Sequence, residues 1–516
     1  MGRQDSIQTT SKVSELTMKQ LIHSGVMMPK KYEAKDFSIT VREKKVQLTP
    51  EQEEMAVAFT KKFGTEYVED KVFVKNFFND FSKALGTEEN LSPEEVNFDE
   101  ITRALELEKQ IKLNKSKEEK KKDAEARKAI REANKQQYGF AIVDGQKVEI
   151  GNYVAEPSCI FMGRGKHPMR GRWKQGPTEN DIILNLSPDS PTPPGNWKKR
   201  DWCPDDMWIA KWDDRLQGKE KYLWLADTST VKQNRDKEKF EQAKGLEKTI
   251  EKVRQHIMEN LKTEDLKNRK VATVCYLIDA LKLRVGDEKD KDEADTVGAT
   301  TLRPDHIKIG SNNVATLDFL GKDAVRWHKE IQLPESVAQN IREFMQGRNS
   351  SIFNGIRSKD VGQFLSDAVP NLTAKVFRTY HATKAVKEYL TKGAVQKSDP
   401  DYVKKQVAAT ANLQAAIVCN HKRKLPKNWA NSLKKKRERL RKLKAAKKKT
   451  KKTLESIEKT NIELEKMKAT KDYNLQTSLK SYIDPRVYRD WGRKVEYDWK
   501  SYYSKTLQRK FSWIDQ

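Results

Sequence analysis

Cysteine is scarce. The four cysteines, Cys159, Cys203, Cys275 and Cys419, are scattered, with no CxxC pair. That argues against a disulfide framework and a cysteine-based zinc site, and it fits reduced thiols in an intracellular chain. Long hydrophobic runs are missing, and the opening MGRQDSIQTT has no apolar signal core. The expectation is a soluble, intracellular chain that spans no membrane. No glycine-rich loop closes with GK[ST], so there is no P-loop for a nucleotide. No metal site is evident either. Acidic residues fall short of basic ones, 75 against 102, for a net charge of +27. At 36% hydrophobic and 34% charged, the chain is too apolar to be wholly disordered. Its basic excess selects a polyanionic partner, nucleic acid ahead of an anionic membrane. A length of 516 residues accommodates several domains with a sizeable core.

The pattern along the chain is mixed. Residues 1–32 are polar and weakly patterned. Alternation in Phe37-Ser38-Ile39-Thr40-Val41 predicts short strands. Thr49 and Pro50 then read as the N-cap and first position of a helix. Phe73, Phe77, Phe78 and Phe81 recur at helical spacing and read as core. Residues 102–137 form one long, mixed-charge stretch of solvated helix. YGFAIVDGQKVEIGNY reads as a hairpin turning at Asp144-Gly145. FMGRGKHPMRGRWKQG crowds Arg164, Lys166, Arg170, Arg172 and Lys174 around glycines, a pattern able to clamp a phosphate backbone. A solvated basic loop is the competing reading. Trp197, Trp202, Trp208, Trp212 and Trp224 follow as expected core anchors of a β-rich unit.

From about Arg235 the chain turns helical. Val271, Val274, Cys275, Ile278 and Leu281 mark one helical face, with Arg284 in the last turn and Gly286 as the stop. NVATLDFL and AVRWH flank Gly321-Lys322-Asp323, which places Lys322 at a hairpin tip. One further helix is expected through LTAKVFRTYHATKAVKEYL and another through AAIVCNHKRKL. In the intensely basic 425–474, Leu433, Leu440 and Leu454 keep one heptad phase and Leu443, Ile457 and Leu464 a second. That predicts an antiparallel, coiled-coil-like pair, weakened by Lys447 and Asn461 on its seam.

Chemistry centres on SLKSYIDPRVYRDW, residues 478–491. A tyrosine hydroxyl, with a pKa near ~10, is a poor nucleophile until cations stabilise the charge that develops on attack. Tyr482 sits among Lys480, Arg486 and Arg489, but it is one of 15 tyrosines, and Tyr488 also lies among arginines. Attack on a phosphodiester adds a second negative charge in the five-coordinate transition state. Arginines can meet it with paired hydrogen bonds, and a lysine can protonate the departing oxygen.

Five local motifs occur in the order found in eukaryotic-type type IB DNA topoisomerases: KLRVGDEK, DFLGKD, LTAKVFRTYHA, CNHKR and KSYIDPR. VKNFFNDF, YGFAIVDG, IGNYVAEP, FMGRGKHPMRG, EKYLWL and ADTVGATTLRPDHI also resemble family segments, so the likeness runs from about residue 27 to 516. The resemblance implies that Tyr482 is the nucleophile of a 3′-phosphotyrosine intermediate. Arg284, Arg378 and His421 would stabilise the transition state, and Lys322 would act as general acid. Arg164, Lys221, Tyr222, Thr296, Asp323, Lys375 and Ser481 fall at DNA-contacting positions. The implied fold is α+β and multidomain, a bilobed DNA clamp: an N-terminal segment (1–32), a mixed α/β cap (33–121), a β-rich clamp region (122–229), a mostly helical catalytic core (230–424), a helical linker (425–474) and a small helical C-terminal domain (475–516). The implied activity is relaxation of supercoiled double-stranded DNA by a monomer that requires no cofactor, ATP or metal.

The chain departs from the family at Ser481, where nuclear relatives commonly carry Asn, and at Met162, where a second loop arginine is common. The first predicts an altered response to camptothecin-like intercalating poisons. The long charged N-terminal extension of nuclear members is absent, which favours an archaeal-type member working in the cytoplasm over a nuclear one. Two rivals stand beside this reading. A tyrosine recombinase uses a similar residue set, but usually shows HxxR where this chain has Lys375-Val376-Phe377-Arg378. A non-catalytic architectural protein would share the charge and the helical arm.

Overall fold

The computed structural model describes residues 17–287, 296–346, 351–393, 395–446 and 450–515. The first sixteen residues of the N-terminal segment, most of the acidic loop before Thr296, the seam position Lys447 and the side chain of Asp323 lie outside the described residues. Secondary structure is mixed α and β, in two compact units, Met1–Gln233 and Asn234–Gln516.

The first unit opens with β1 (Leu21–His23), the hairpin β2 (Ser38–Val41) and β3 (Lys44–Gln47), then α1 (Pro50–Thr60) and α2 (Lys71–Leu85). Thr49 caps α1 as expected: its side chain accepts from the Gln52 amide while the Gln52 side chain accepts from the Thr49 amide. Phe73, Phe77, Phe78 and Phe81 of α2 are buried, and Phe77 stacks on Phe59 of α1 at 4.1 Å. After β4 (Val96–Asn97), the charged stretch forms two helices, α3 (Asp99–Asn114) and α4 (Lys117–Tyr138). The single helix expected there is interrupted because Ser116 and Glu119 form a capping box that starts α4 afresh. α4 buries none of its residues, as its alternating charges require.

β5 (Phe140–Val143) and β6 (Gln146–Glu149) form the expected hairpin, and β1 joins it on the other side of β5. Asp144 and Gly145 take φ of 50° and 77°, as a two-residue turn matched to strand twist demands. β7 (Cys159–Ile160) pairs with β8 (Trp173–Lys174) across the basic loop. A four-stranded sheet follows from β9 (Ile183–Asn185), β10 (Lys199–Asp201), β11 (Trp208–Asp213) and β12 (Glu220–Trp224), in the order β10-β9-β11-β12. Trp208 and Trp212 are core anchors, and Trp197 and Trp202 pack partly against the same core. Trp224 departs from the expectation. It is 40% exposed, because strand alternation puts Leu223 inside and Trp224 outside.

The second unit begins within α5 (Thr230–Asn260) and continues with α6 (Leu266–Leu281), β13 (Ile307–Ile309), β14 (Val314–Gly321) and β15 (Val325–Gln332). Then come α7 (Glu335–Met345), α8 (Ser358–Ala368), α9 (Ala374–Lys392) and α10 (Asp401–Val418). From Lys270 onward α6 is buried on nearly all sides, not one, and forms the centre of a core shared with α7, α8 and the three-stranded sheet. It stops at Lys282, which adopts the left-handed conformation (φ 61°), and not at Gly286. Arg284 is therefore in an extended segment beyond the helix, not in its last turn. Similarly, α10 ends at Val418, so His421 lies past the helix expected to carry it. Lys422 instead bridges to Tyr473.

α11 (Trp429–Ala445) and α12 (Lys451–Ala469) pack against each other. The bridges Lys422–Tyr473 and Lys436–Glu463 run in opposite chain directions, so the pair is antiparallel. Of the heptad leucines, Leu433 and Leu464 are buried but Leu454 is exposed, so the seam closes only in part. α13 (Leu475–Ser481), α14 (Pro485–Val495) and α15 (Lys505–Lys510) complete the chain. Ile483, Tyr488, Trp491, Tyr503 and Phe511 form one apolar cluster with Ala382, Val386, Ala408 and Ala415 of α9 and α10. The C-terminal aromatics thus dock on helices adjoining Arg378 and His421.

Candidate active site

Four short segments meet in the second unit. The first is the extended segment after α6. Its backbone pairs with residues 298–300: the Ala299 amide donates to the Arg284 carbonyl at 2.9 Å, and the Thr300 amide to the Val285 carbonyl at 2.9 Å. Glycine is needed on both sides. A Cβ on Gly298 would sit 2.5 Å from the Gly286 Cα, closer than any side chain tolerates. The second segment is the β14–β15 tip, which presents Lys322 as expected. The third is the start of α9, with Lys375 and Arg378 about one turn apart. The fourth is the end of α13, where Tyr482 follows the last helical residue, Ser481.

These segments line a cavity of about 760 Å³, whose walls include Lys239, Arg284, Thr296, Lys322, Lys375, Arg378, Ser481 and Tyr482. Seven of these eight positions are expected site residues. Lys239 on α5 is the addition, bonded to Asp236 at 2.6 Å, which also pairs with Lys510 of α15 at 2.9 Å. No local motif marks Lys239, one lysine in a charged helix. Burial lowers its pKa below the ordinary lysine value despite Asp236.

Arg378 is the hub of the site, with only 3% of its surface exposed. Its Nη1 donates to the carbonyl of Lys282, two residues before Arg284. Its Nη2 donates to the carbonyl of Cys419, two residues before His421, at 2.8 Å, and lies 3.3 Å from His421 Nε2. The guanidinium carbon stands 5.1 Å from the Tyr482 ring centre. One side chain therefore ties together the segments carrying Arg284 and His421 and stands against Tyr482. Its Nε–H, buried, has no hydrogen-bond partner among the described residues.

The electrostatics separate the two tyrosines that sequence left alike. Burial would raise the Tyr482 phenol, but the adjacent Arg378 and Arg284 guanidiniums outweigh it, and the net shift is downward. Tyr488 is 1% exposed and donates to the Ala408 carbonyl at 3.1 Å; burial, with Tyr502 and Tyr503 beside it, raises its pKa well above the ordinary value. Arg486 and Arg489 serve structure: Arg486 pairs with Asp484 and Glu241, and Arg489 donates to the Ile514 carbonyl. His421 is pushed down to about 3 by burial and then by Arg378 and Arg284, so the ring is neutral at physiological pH. Its Nδ1 contacts Ser478 Oγ at 2.7 Å, a partner the sequence reading did not single out.

The remaining expected contacts lie in the first unit. Arg164 and Lys166 are exposed on the basic loop. The other three cations of that loop are committed within the unit: Arg170 to Asp70 at 2.8 Å, Arg172 to Asp80 at 2.7 Å and Lys174 to Asp214 at 2.8 Å. These three groups hold the loop against α2 and the sheet. Lys221 pairs with Asp214 at 3.4 Å, and the Tyr222 hydroxyl donates to Glu220. Among the described residues no group of three or more His, Cys, Asp or Glu could hold a metal ion, and no helix is long and apolar enough to cross a membrane.

Comparison with known families covers nearly the whole chain. Residues 17–225 match the DNA binding fragment of eukaryotic DNA topoisomerase I, 228–454 its catalytic core, and 454–516 the C-terminal topoisomerase domain. The chain is 32% identical to DNA topoisomerase 1 of Drosophila melanogaster over 527 residues, covering 96% of this chain and 53% of the relative. It is 33% identical to DNA topoisomerase 1 of Chlorocebus aethiops, covering 96% and 70%, and 33% identical to that of Homo sapiens, covering 91% and 67%. The chain thus spans from about half to about seven-tenths of the length of these relatives. With both units and the C-terminal segment matched in order, the chain belongs to the eukaryotic DNA topoisomerase I family.

Proposed function

We propose that this protein relaxes supercoiled double-stranded DNA by transient cleavage of one strand through a 3′-phosphotyrosine at Tyr482, rotation of the free end and religation. The observation that carries the reading is the convergence of Arg284 and Arg378 on the Tyr482 phenol, strong enough to lower its pKa against burial. The Tyr482 phenol gives up its proton to solvent as its oxygen attacks the phosphorus, and the P–O5′ bond breaks. Arg284, Arg378 and His421 hydrogen-bond the non-bridging oxygens as the second charge develops. Lys322, exposed at its hairpin tip, gives its proton to the departing 5′ oxygen. The phosphotyrosine conserves the bond energy, so religation is the same step reversed and needs neither ATP nor metal.

Arg164, Lys221, Tyr222, Thr296, Asp323, Lys375 and Ser481 contact the duplex, and the protein acts as a monomeric DNA clamp. The coiled-coil-like pair α11–α12 slows rotation through its charge. The compartment is that of the DNA it serves. The family match along the first unit favours relaxation over recombination. The test is incubation with supercoiled plasmid in EDTA without ATP. Positive and negative supercoils should both relax, and Tyr482→Phe should leave them intact. Equal relaxation by Tyr482→Phe would sink the nucleophile assignment.

A further inference from the structure

His421 is held by α13 at two points one helical turn apart. The Asn474 amide donates to the His421 carbonyl at 2.7 Å, and Ser478 Oγ meets the His421 Nδ1 at 2.7 Å. Ser478 is fully buried, at 0% exposure. Its own carbonyl accepts from the amides of Tyr482 at 2.9 Å and Ile483 at 3.1 Å. A single residue therefore touches the imidazole with its hydroxyl and the nucleophile's backbone with its carbonyl.

The tautomer of His421 follows from its neighbours. Arginine has donors only, so at 3.3 Å Arg378 Nη2 can meet Nε2 only if Nε2 accepts. A neutral ring then carries its proton on Nδ1, and Nδ1–H donates to Ser478 Oγ. That is the wrong state for the proposed chemistry, since a ring whose Nε2 bears no proton cannot donate to a phosphate oxygen. A hydroxyl is both donor and acceptor, and its proton rotates at little cost. We propose that Ser478 is a positioning residue that serves both tautomers of His421: it accepts from Nδ1–H in the free protein, and it donates to bare Nδ1 once a DNA phosphate has drawn Arg378 away from Nε2. In that exchange one proton leaves Nδ1 for solvent and one arrives at Nε2, so the ring stays neutral and Nε2–H faces the phosphate. The neutral ring expected from burial and the two arginines agrees with this. The inference rests on the reading of Tyr482 and His421 given above.

The test uses single-turnover cleavage of a short duplex together with nitrogen NMR of histidine-labelled protein. In the free protein the His421 signals should report Nδ1–H. In Tyr482→Phe bound to an intact duplex they should report Nε2–H. Ser478→Ala should slow cleavage about tenfold, the loss of one hydrogen bond, with duplex affinity unchanged. Ser478→Thr, which keeps the hydroxyl, should recover most of that rate. An Nδ1–H ring in the duplex complex, or Ser478→Ala cleaving like the parent, overturns the proposal. Should Ser478→Thr fail to fold, the NMR of the other two proteins still decides. Cleavage by Tyr482→Phe would instead overturn the underlying reading.

Discussion

Tyr482 and Tyr488 share a chemical group and a basic neighbourhood in sequence, yet their environments drive them apart. At Tyr488 nothing opposes desolvation, and the phenol stays protonated as a core anchor. At Tyr482 two guanidiniums more than offset it. At His421 the same influences act together: burial, Arg378 and Arg284 all lower its pKa. Its folded pKa of about 3 lies below the ordinary 6.5, so between these values the unfolded chain binds more protons than the folded one. The native state is therefore not penalised above pH 6.5 and loses stability as pH falls from there towards 3. One such group costs up to about 2 kcal/mol by roughly pH 5. We expect His421→Gln to narrow the fall in Tm between neutral pH and about pH 5, measured by calorimetry; an unchanged fall would show that His421 is not buried neutral. Ser481 lies on the cavity wall beside Tyr482. Ser481→Asn should change the trapping of cleaved complexes by camptothecin-like compounds while leaving relaxation without drug unaltered. Equal trapping by both proteins would remove Ser481 as the cause.

Among the elements, the segment after α6 shows how a loop can be held as firmly as a helix. Lys282 bends the chain in a left-handed conformation that costs a non-glycine residue roughly 1–2 kcal/mol, and its carbonyl is held by Arg378. Gly286 and Gly298 then let two backbones touch. Gly298→Ala should force them apart, destabilising the protein by about 1–3 kcal/mol and slowing cleavage through displacement of Arg284. Gly245, exposed within α5 with nothing within 4 Å of a built Cβ, is the control. Gly245→Ala should stabilise by up to about 1 kcal/mol, because alanine has less backbone entropy to lose in a helix. Urea unfolding of both variants checks the pair, and a Gly298→Ala protein as stable as its parent would contradict the close approach. The α2 phenylalanines needed no such help: their spacing alone specified the buried face.

On the scale of the whole molecule, net charge of +27 is the largest single fact, and its distribution decides what it does. Lys174, Arg170 and Arg172 are paired with internal carboxylates, whereas Lys434, Lys435, Arg437, Lys442 and Lys444 lie exposed along α11. Replacing those five with glutamine should weaken duplex binding and flatten its dependence on salt, by about 0.9 in slope for each phosphate no longer neutralised. Fluorescence titration at several salt concentrations measures this, and an unaltered slope would exclude α11 from the DNA interface.

Much of the architecture was legible because its signals are local. The Thr49–Gln52 capping box, the Asp144-Gly145 turn, the phenylalanine face and the Lys322 tip each depend on residues a few positions apart. Element ends were less legible. Lys282, not Gly286, stops α6, and α10 stops before His421, because tertiary hydrogen bonds set those ends. Ordered motifs were enough to nominate Tyr482, Arg284, Arg378, His421 and Lys322, although nothing local linked them. What the sequence by itself determined was the set of groups, their order and the balance of charge. Only the tertiary structure decided which cations are held by internal carboxylates, which of two like tyrosines meets arginines, and that Arg378, Ser478 and Lys239 stand around the same centre. The physical reason is that desolvation and Coulomb interaction depend on distance through space, which residue spacing along a chain does not contain.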